Sequence, residues 1–168
     1  DFQKDLINNI NSNTTTLLQA PTSAGKSILT GYLYTKNIKA IVVVPTDILC
    51  WQMASMIGNI MNTDIPILTR THQSIPVRDK MIEKINKTGV VVGTPKELVD
   101  YLPLINVDFD WVVVDEIHMI GKESCCEMET IIKLFSDKPL LALSATIGNV
   151  EEIKDWLVKI GQSDVSII

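Results

Sequence analysis

Cysteine, histidine and net positive charge are all in short supply in this chain. Its three cysteines, Cys50, Cys125 and Cys126, offer no disulfide framework and no C-x-x-C pair, so a reducing, intracellular compartment is the expectation. The two histidines, His72 and His118, share no metal-ligand spacing, which argues against a zinc site. No apolar run is long enough to span a bilayer and no signal-peptide pattern opens the chain, so no membrane association is expected. Fifteen Lys and Arg against twenty Asp and Glu leave a net charge of −5. That balance excludes a globally basic nucleic-acid binder, although not one whose contacts are local. Repeats, low-complexity stretches and linkers are absent, and 168 residues read as one domain, large enough to bury most of what the unfolded chain would expose.

What is present is a regular alternation of strands and helices. Apolar, β-branched runs at Thr14–Leu18, Lys39–Pro45, Gly89–Thr94, Asp110–Glu116 (a strand ending in two acids) and Leu140–Ala145 predict strands, the near-continuous ones being as expected of strands buried on both faces of a parallel sheet. A short strand broken by Pro66 is expected at Ile65–Leu68, and another starts at Asp164. Helical spacing marks residues 1–10, 48–60, 77–85, 126–135 and 150–160, with a short helix opening at Pro95. The alternation predicts a doubly wound, mostly parallel α/β sheet with helices on both faces, in which ligands sit beyond the carboxyl ends of the strands. The polar clusters 20–27, 45–47, 93–95, 115–118 and 144–146 all fall there.

The first of these clusters is Ala20-Pro-Thr-Ser-Ala-Gly-Lys-Ser27, between an apolar strand and a helical run. A loop of small residues (Pro21, Thr22, Ser23, Ala24, Gly25) opening a helix on Lys26-Ser27 has the make-up of a phosphate cradle. Its backbone N–H groups and the helix dipole would meet the anion, Lys26 would reach the β- and γ-phosphates, and the Ser27 hydroxyl would ligate Mg²⁺. Ala20 departs from the glycine that usually begins such a loop, and a plain turn carrying a surface lysine is the alternative. The second cluster, Asp115-Glu-Ile-His118, follows a buried strand, where carboxylates need water, a cation or a metal. Beside a nucleotide, Asp115 would hold Mg²⁺, largely through water, and Glu116 would orient or deprotonate the attacking water. A strand end emerging into solvent is the plainer reading. The third cluster, Leu143-Ser-Ala-Thr146, also suits a turn that caps the next helix.

In this order the three motifs resemble the first RecA-like domain of superfamily-2 DExH-box helicases, and most closely the Ski-type branch. Ala at the start of the phosphate loop is ordinary in that branch. The resemblance runs from Phe2-Gln3 to Trp156-Leu157 and implies a P-loop NTPase fold, ATP and Mg²⁺ as cofactors, and ATP-dependent helicase activity. It further implies that Phe2-Gln3 meets the adenine edge, and that Pro45, Thr46 and Gln52, with Gly93 and Thr94, contact the nucleic-acid backbone. His118, Ser144 and Thr146 would couple nucleotide state to strand grip. Two departures stand out: Asp47 lies where a basic or neutral residue is usual, and Cys125-Cys126 where the branch often carries Arg-Gly.

Residues 1–168 are therefore expected to form the N-terminal RecA-like, ATP-binding domain of a longer helicase. A second such domain would complete the nucleotide cleft, and the fragment by itself would be weakly active or inactive. Its arginine-bearing or basic stretches, near Arg70, Arg78 and Lys80, have no motif context for an arginine finger. The expected partner is single-stranded or partly duplex nucleic acid, RNA before DNA, since the branch contains both kinds. A non-catalytic, nucleotide-gated binding module remains the rival class. Among the tryptophans, Trp111 and Trp156 are expected in the core, and Trp51 is kept as a base-stacking candidate.

Overall fold

The computed structural model describes residues 2–20, 31–70, 75–122, 126–145 and 148–168. Seven parallel strands form one sheet in the order β3-β4-β2-β5-β6-β1-β7. They are β1 (Thr15–Gln19), β2 (Ala40–Val43), β3 (Ile67–Leu68), β4 (Val90–Gly93), β5 (Trp111–Val114), β6 (Leu140–Ser144) and β7 (Val165–Ile167). The central strands β2, β4 and β5 are buried along their whole length, as their runs of β-branched residues require.

Alternate residues of each strand feed two separate cores. Ile41, Val43, Val91, Val112 and Val114 face one side, where α3 (Ile75–Thr88), α4 (Pro95–Tyr101), α5 (Cys126–Leu134) and α6 (Val150–Lys159) cover the sheet. Val42, Val44, Val92 and Val113 face the other, under α1 (Phe2–Asn11), the helical residues 31–34 and α2 (Asp47–Met61). The period-two alternation of the strands meets helical stripes such as Leu6/Ile10 and Ile153/Leu157.

The expected elements are present, with shifts at their ends. The strand that begins at Ile65 in the sequence reading narrows to the two-residue edge strand β3. Pro66 has no N–H for a ladder, but its carbonyl still accepts from Val92 N–H at 3.1 Å. Helix α2 starts at Thr46, whose hydroxyl accepts from Leu49 N–H at 3.3 Å, and ends at Asn62 in the left-handed region with φ 51°. Burial, and then the charge of Asp47, push the thiol of Cys50 in this helix up to about 12.

At the amino ends of the strands, Thr15 closes a buried polar knot. Its hydroxyl donates to Gln162 Oε1 and accepts from Leu140 N–H at 3.0 Å, while Gln162 Nε2 donates to the Lys138 carbonyl at 2.9 Å. Thr15 and Gln162 are both buried, so these partners stand in for water. Thr15→Val keeps the shape but strands the Leu140 N–H and the Gln162 carbonyl. It should cost about 1–3 kcal/mol, read as a lowered midpoint in urea. An unchanged midpoint would show that the knot contributes nothing.

Candidate functional site

The ladder sets the carboxyl ends of the strands nearly flush. Val43 is level with Gly93 and Val114, and Gln19 with Ser144. The first residue of each following loop is still tied into the sheet. Ala20 N–H donates to the Ser144 carbonyl at 3.2 Å, Val44 to Gly93 at 3.0 Å, Thr94 to Leu68 at 3.1 Å and Asp115 to Val43 at 2.9 Å. Loops that begin at fixed points deliver their side chains to fixed places.

The acids lie just past β5 rather than in it. Asp115 is half-buried, and its Oδ1 accepts from Glu116 N–H at 3.0 Å. Glu116 has φ 56° and ψ 46°, a left-handed conformation that costs a non-glycine residue roughly 1–2 kcal/mol. The kink turns the chain into a 3₁₀ turn, Ile117–Met119, pinned by the fully buried Ile117. It swings His118 back, so that Nδ1 stands 3.1 Å from Glu116 Oε2 and 2.8 Å from Ser144 Oγ. A carboxylate can only accept, so this arrangement is favourable with the proton on Nδ1, which both oxygens then share. Glu116, His118 and Ser144 are thereby joined, and Ser144 is bonded through its carbonyl to Ala20, where the phosphate-loop sequence begins. The buried Tyr34 lies within reach of the Asp115 charge. Burial first, and then the charge of Asp115, hold its phenol protonated far above the ordinary value.

Of the second group of predicted residues, Pro45, Thr46 and Thr94 line a cleft of about 450 Å³ beside this cluster, and Gln52 and Gly93 are not among its lining residues. Pro45 and Thr46 come to it from β2, and Thr94 and Pro95 from β4. The two threonines differ. Thr46 spends its hydroxyl on capping α2, whereas Thr94, at the N-cap of α4, makes no side-chain capping bond. Gly93 allows the close approach of β3 and α4, since a Cβ there would stand 2.8 Å from Leu98 Cγ and 3.0 Å from the Leu68 carbonyl oxygen. Gln52 is exposed on the following turn of α2. The cleft also holds Arg70, Lys96, Glu97 and Glu127, which the sequence reading did not place in it. Their signal was faint, although Arg70 directly follows the strand end at Leu68-Thr69 and Lys96 follows Thr94-Pro95.

Trp51 is 60% exposed but lines a different groove, of about 560 Å³, with Asn59 and Asn62 on the outer side of α2. Trp111 is buried, and Trp156 packs against the core. Phe2 and Gln3 open α1 and are exposed. Residues Pro21 to Ser27, His72, Cys125 and Thr146 lie outside the described residues, while Cys126 opens α5 and is exposed. Among the described residues, no helix is long and apolar enough to cross a membrane.

The DEAD/DEAH box helicase model matches residues 1–153. The chain belongs to the DEAD/DEAH box helicase family. It is a first RecA-like domain of the Ski-type branch. The ATP-dependent DNA helicase Hel308 of Thermoplasma acidophilum is 28% identical over 94% of this helicase domain, which spans 24% of that relative's length. A human protein named as a probable ATP-dependent RNA helicase, DDX60-like, is 27% identical over 95% of the domain, which spans 10% of it. The crystal structure of a DEAD box protein from Methanococcus jannaschii superposes with a TM-score of 0.78 at 25% identity, covering 98% of this domain and 47% of that chain. The domain thus spans a quarter or less of these two curated relatives' length.

In this helicase domain Gly93 sets the place of Thr94. Gly93→Ala should force Leu98 and β3 apart, costing about 1–3 kcal/mol and lowering the melting temperature by several degrees. A melting curve identical to that of the unchanged protein would mean that the close approach is not needed.

Proposed function

We propose that this domain is the ATP-hydrolysing half of a nucleic-acid motor that tracks along single-stranded or partly duplex RNA. The observation that carries the reading is the linked set Glu116–His118–Ser144, with Ser144 bonded to Ala20 at the root of the phosphate-loop sequence. Such a chain joins the group that meets the attacking water to the strand from which the phosphate-holding segment departs. The loop Pro21–Gly25 with Lys26 holds the β- and γ-phosphates, and Phe2-Gln3 meets the adenine. Glu116 accepts the proton of the attacking water.

The oxygen donors here suit a hard cation, because the half-buried Asp115 carboxylate stands beside Glu116 at a strand end. Asp115 and the Ser27 hydroxyl would hold Mg²⁺, which when bound offsets the charge of the phosphates. A second RecA-like domain of the same polypeptide supplies the arginine that this half lacks, worth about 10³ in rate or more. On the strand side, the Thr46 and Thr94 loops contact backbone phosphates through N–H and hydroxyl groups. The name of the human relative supports RNA as the strand, and that of the Thermoplasma relative supports DNA as the second reading.

The test uses the full-length protein. Lys26→Ala should abolish binding of a fluorescent ATP analogue. Glu116→Gln should keep that binding while lowering kcat by about 10²-fold or more at little change in KM. Near-normal turnover by Glu116→Gln would remove Glu116 from the water-activating role, and equal binding by Lys26→Ala would overturn the nucleotide site. Competition between RNA and DNA of one sequence decides the strand.

A further inference from the structure

We propose that Arg70 is the side chain that clamps a backbone phosphate of the bound strand, and that it carries a measurable share of the salt dependence of binding. This rests on the strand-binding reading of the cleft and adds the residue that supplies its charge. Three observations lead to it.

The first is position. Arg70 follows Thr69, which is buried, and the Leu68 carbonyl before it accepts from Thr94 N–H at 3.1 Å. The backbone that carries Arg70 is therefore held against the backbone that carries Thr94. The side chain lines the same cleft as Thr46 and Thr94. A phosphate between the two threonine loops lies within the cleft that Arg70 borders.

The second is the state of the guanidinium. Arg70 is exposed and has no ion-pair or hydrogen-bond partner among the described residues. Three carboxylates, Asp47, Glu97 and Glu127, line the same cleft. A guanidinium that shares a cleft with three carboxylates and pairs with none of the described residues keeps its planar fork of donors for an anion from outside. That fork matches a phosphate bidentately, which a lysine ammonium cannot do.

The third is local charge. Arg70 and Lys96 oppose three acids in the cleft, within a chain of net charge −5. Asp47 repels a phosphate near Thr46, so the attraction has to come from the cations of the lining, Arg70 and Lys96. Lowering the acid charge should therefore act in the opposite sense to removing Arg70.

The experiment is fluorescence anisotropy of the full-length protein with a labelled single-stranded oligouridylate, across a series of KCl concentrations. Arg70→Gln should weaken binding several-fold at low salt and reduce the slope of log Kd against log salt by about 0.7, the value for one lost contact on a single strand. Arg70→Lys should keep the slope and recover part of the affinity, which a merely structural role would not produce. Asp47→Asn should tighten binding. Arg70→Gln with unchanged affinity, or weakened with an unchanged slope, would overturn the proposal. A parallel Thr94→Val arm separates the two levels: if it weakens binding while Arg70→Gln does not, Arg70 alone is wrong. If neither variant matters, the strand reading of the cleft fails with it.

Discussion

Burial of the parallel sheet on both faces is the constraint from which the rest of this domain follows. Strands such as Ala40–Val43 and Trp111–Val114 have helices above and below, and each position along them is closed to a group that needs water. Polar chemistry is expelled to the strand ends. Because the register keeps those ends level, residues distant in sequence emerge side by side, and the backbone bonds from Ala20, Val44, Thr94 and Asp115 fix where each loop leaves. The site is a consequence of the ladder before it is a consequence of any side chain.

Within that frame the acid cluster is held by local means. Glu116 adopts a left-handed conformation at a cost in free energy, and the return is that His118 turns back against both Glu116 and Ser144. The bridge crosses from the loop after β5 to the end of β6. The cleft beside it is of another kind, lined by three acids together with Lys96 and a guanidinium, that of Arg70, without a partner among the described residues. An acidic protein can hold a polyanion when its few cations stand where the phosphates pass, since screening shortens the reach of distant repulsion.

The domain covers a quarter or less of the Thermoplasma and human helicases to which it is similar. Phosphoryl transfer depends on positioned charge more than on covalent help from the protein. The proposed second domain would supply part of that charge on closure and so tie the chemistry to movement.

The sequence by itself determined the element order and the doubly wound class, because double-sided burial writes itself as unbroken β-branched runs. The core places of Trp111 and Trp156 were legible for the same local reasons. What only the tertiary structure decided were the meetings across strands. No pattern shows that His118 reaches Ser144, that Thr15 and Gln162 share a buried knot, or that Trp51 lines a groove away from the cleft. Nor does any motif mark Arg70 as a neighbour of Thr94, for that depends on β3 pairing with β4 at the sheet edge. Strand order and register are set by the packing of the whole sheet, a sum over distant contacts that no local window of sequence contains.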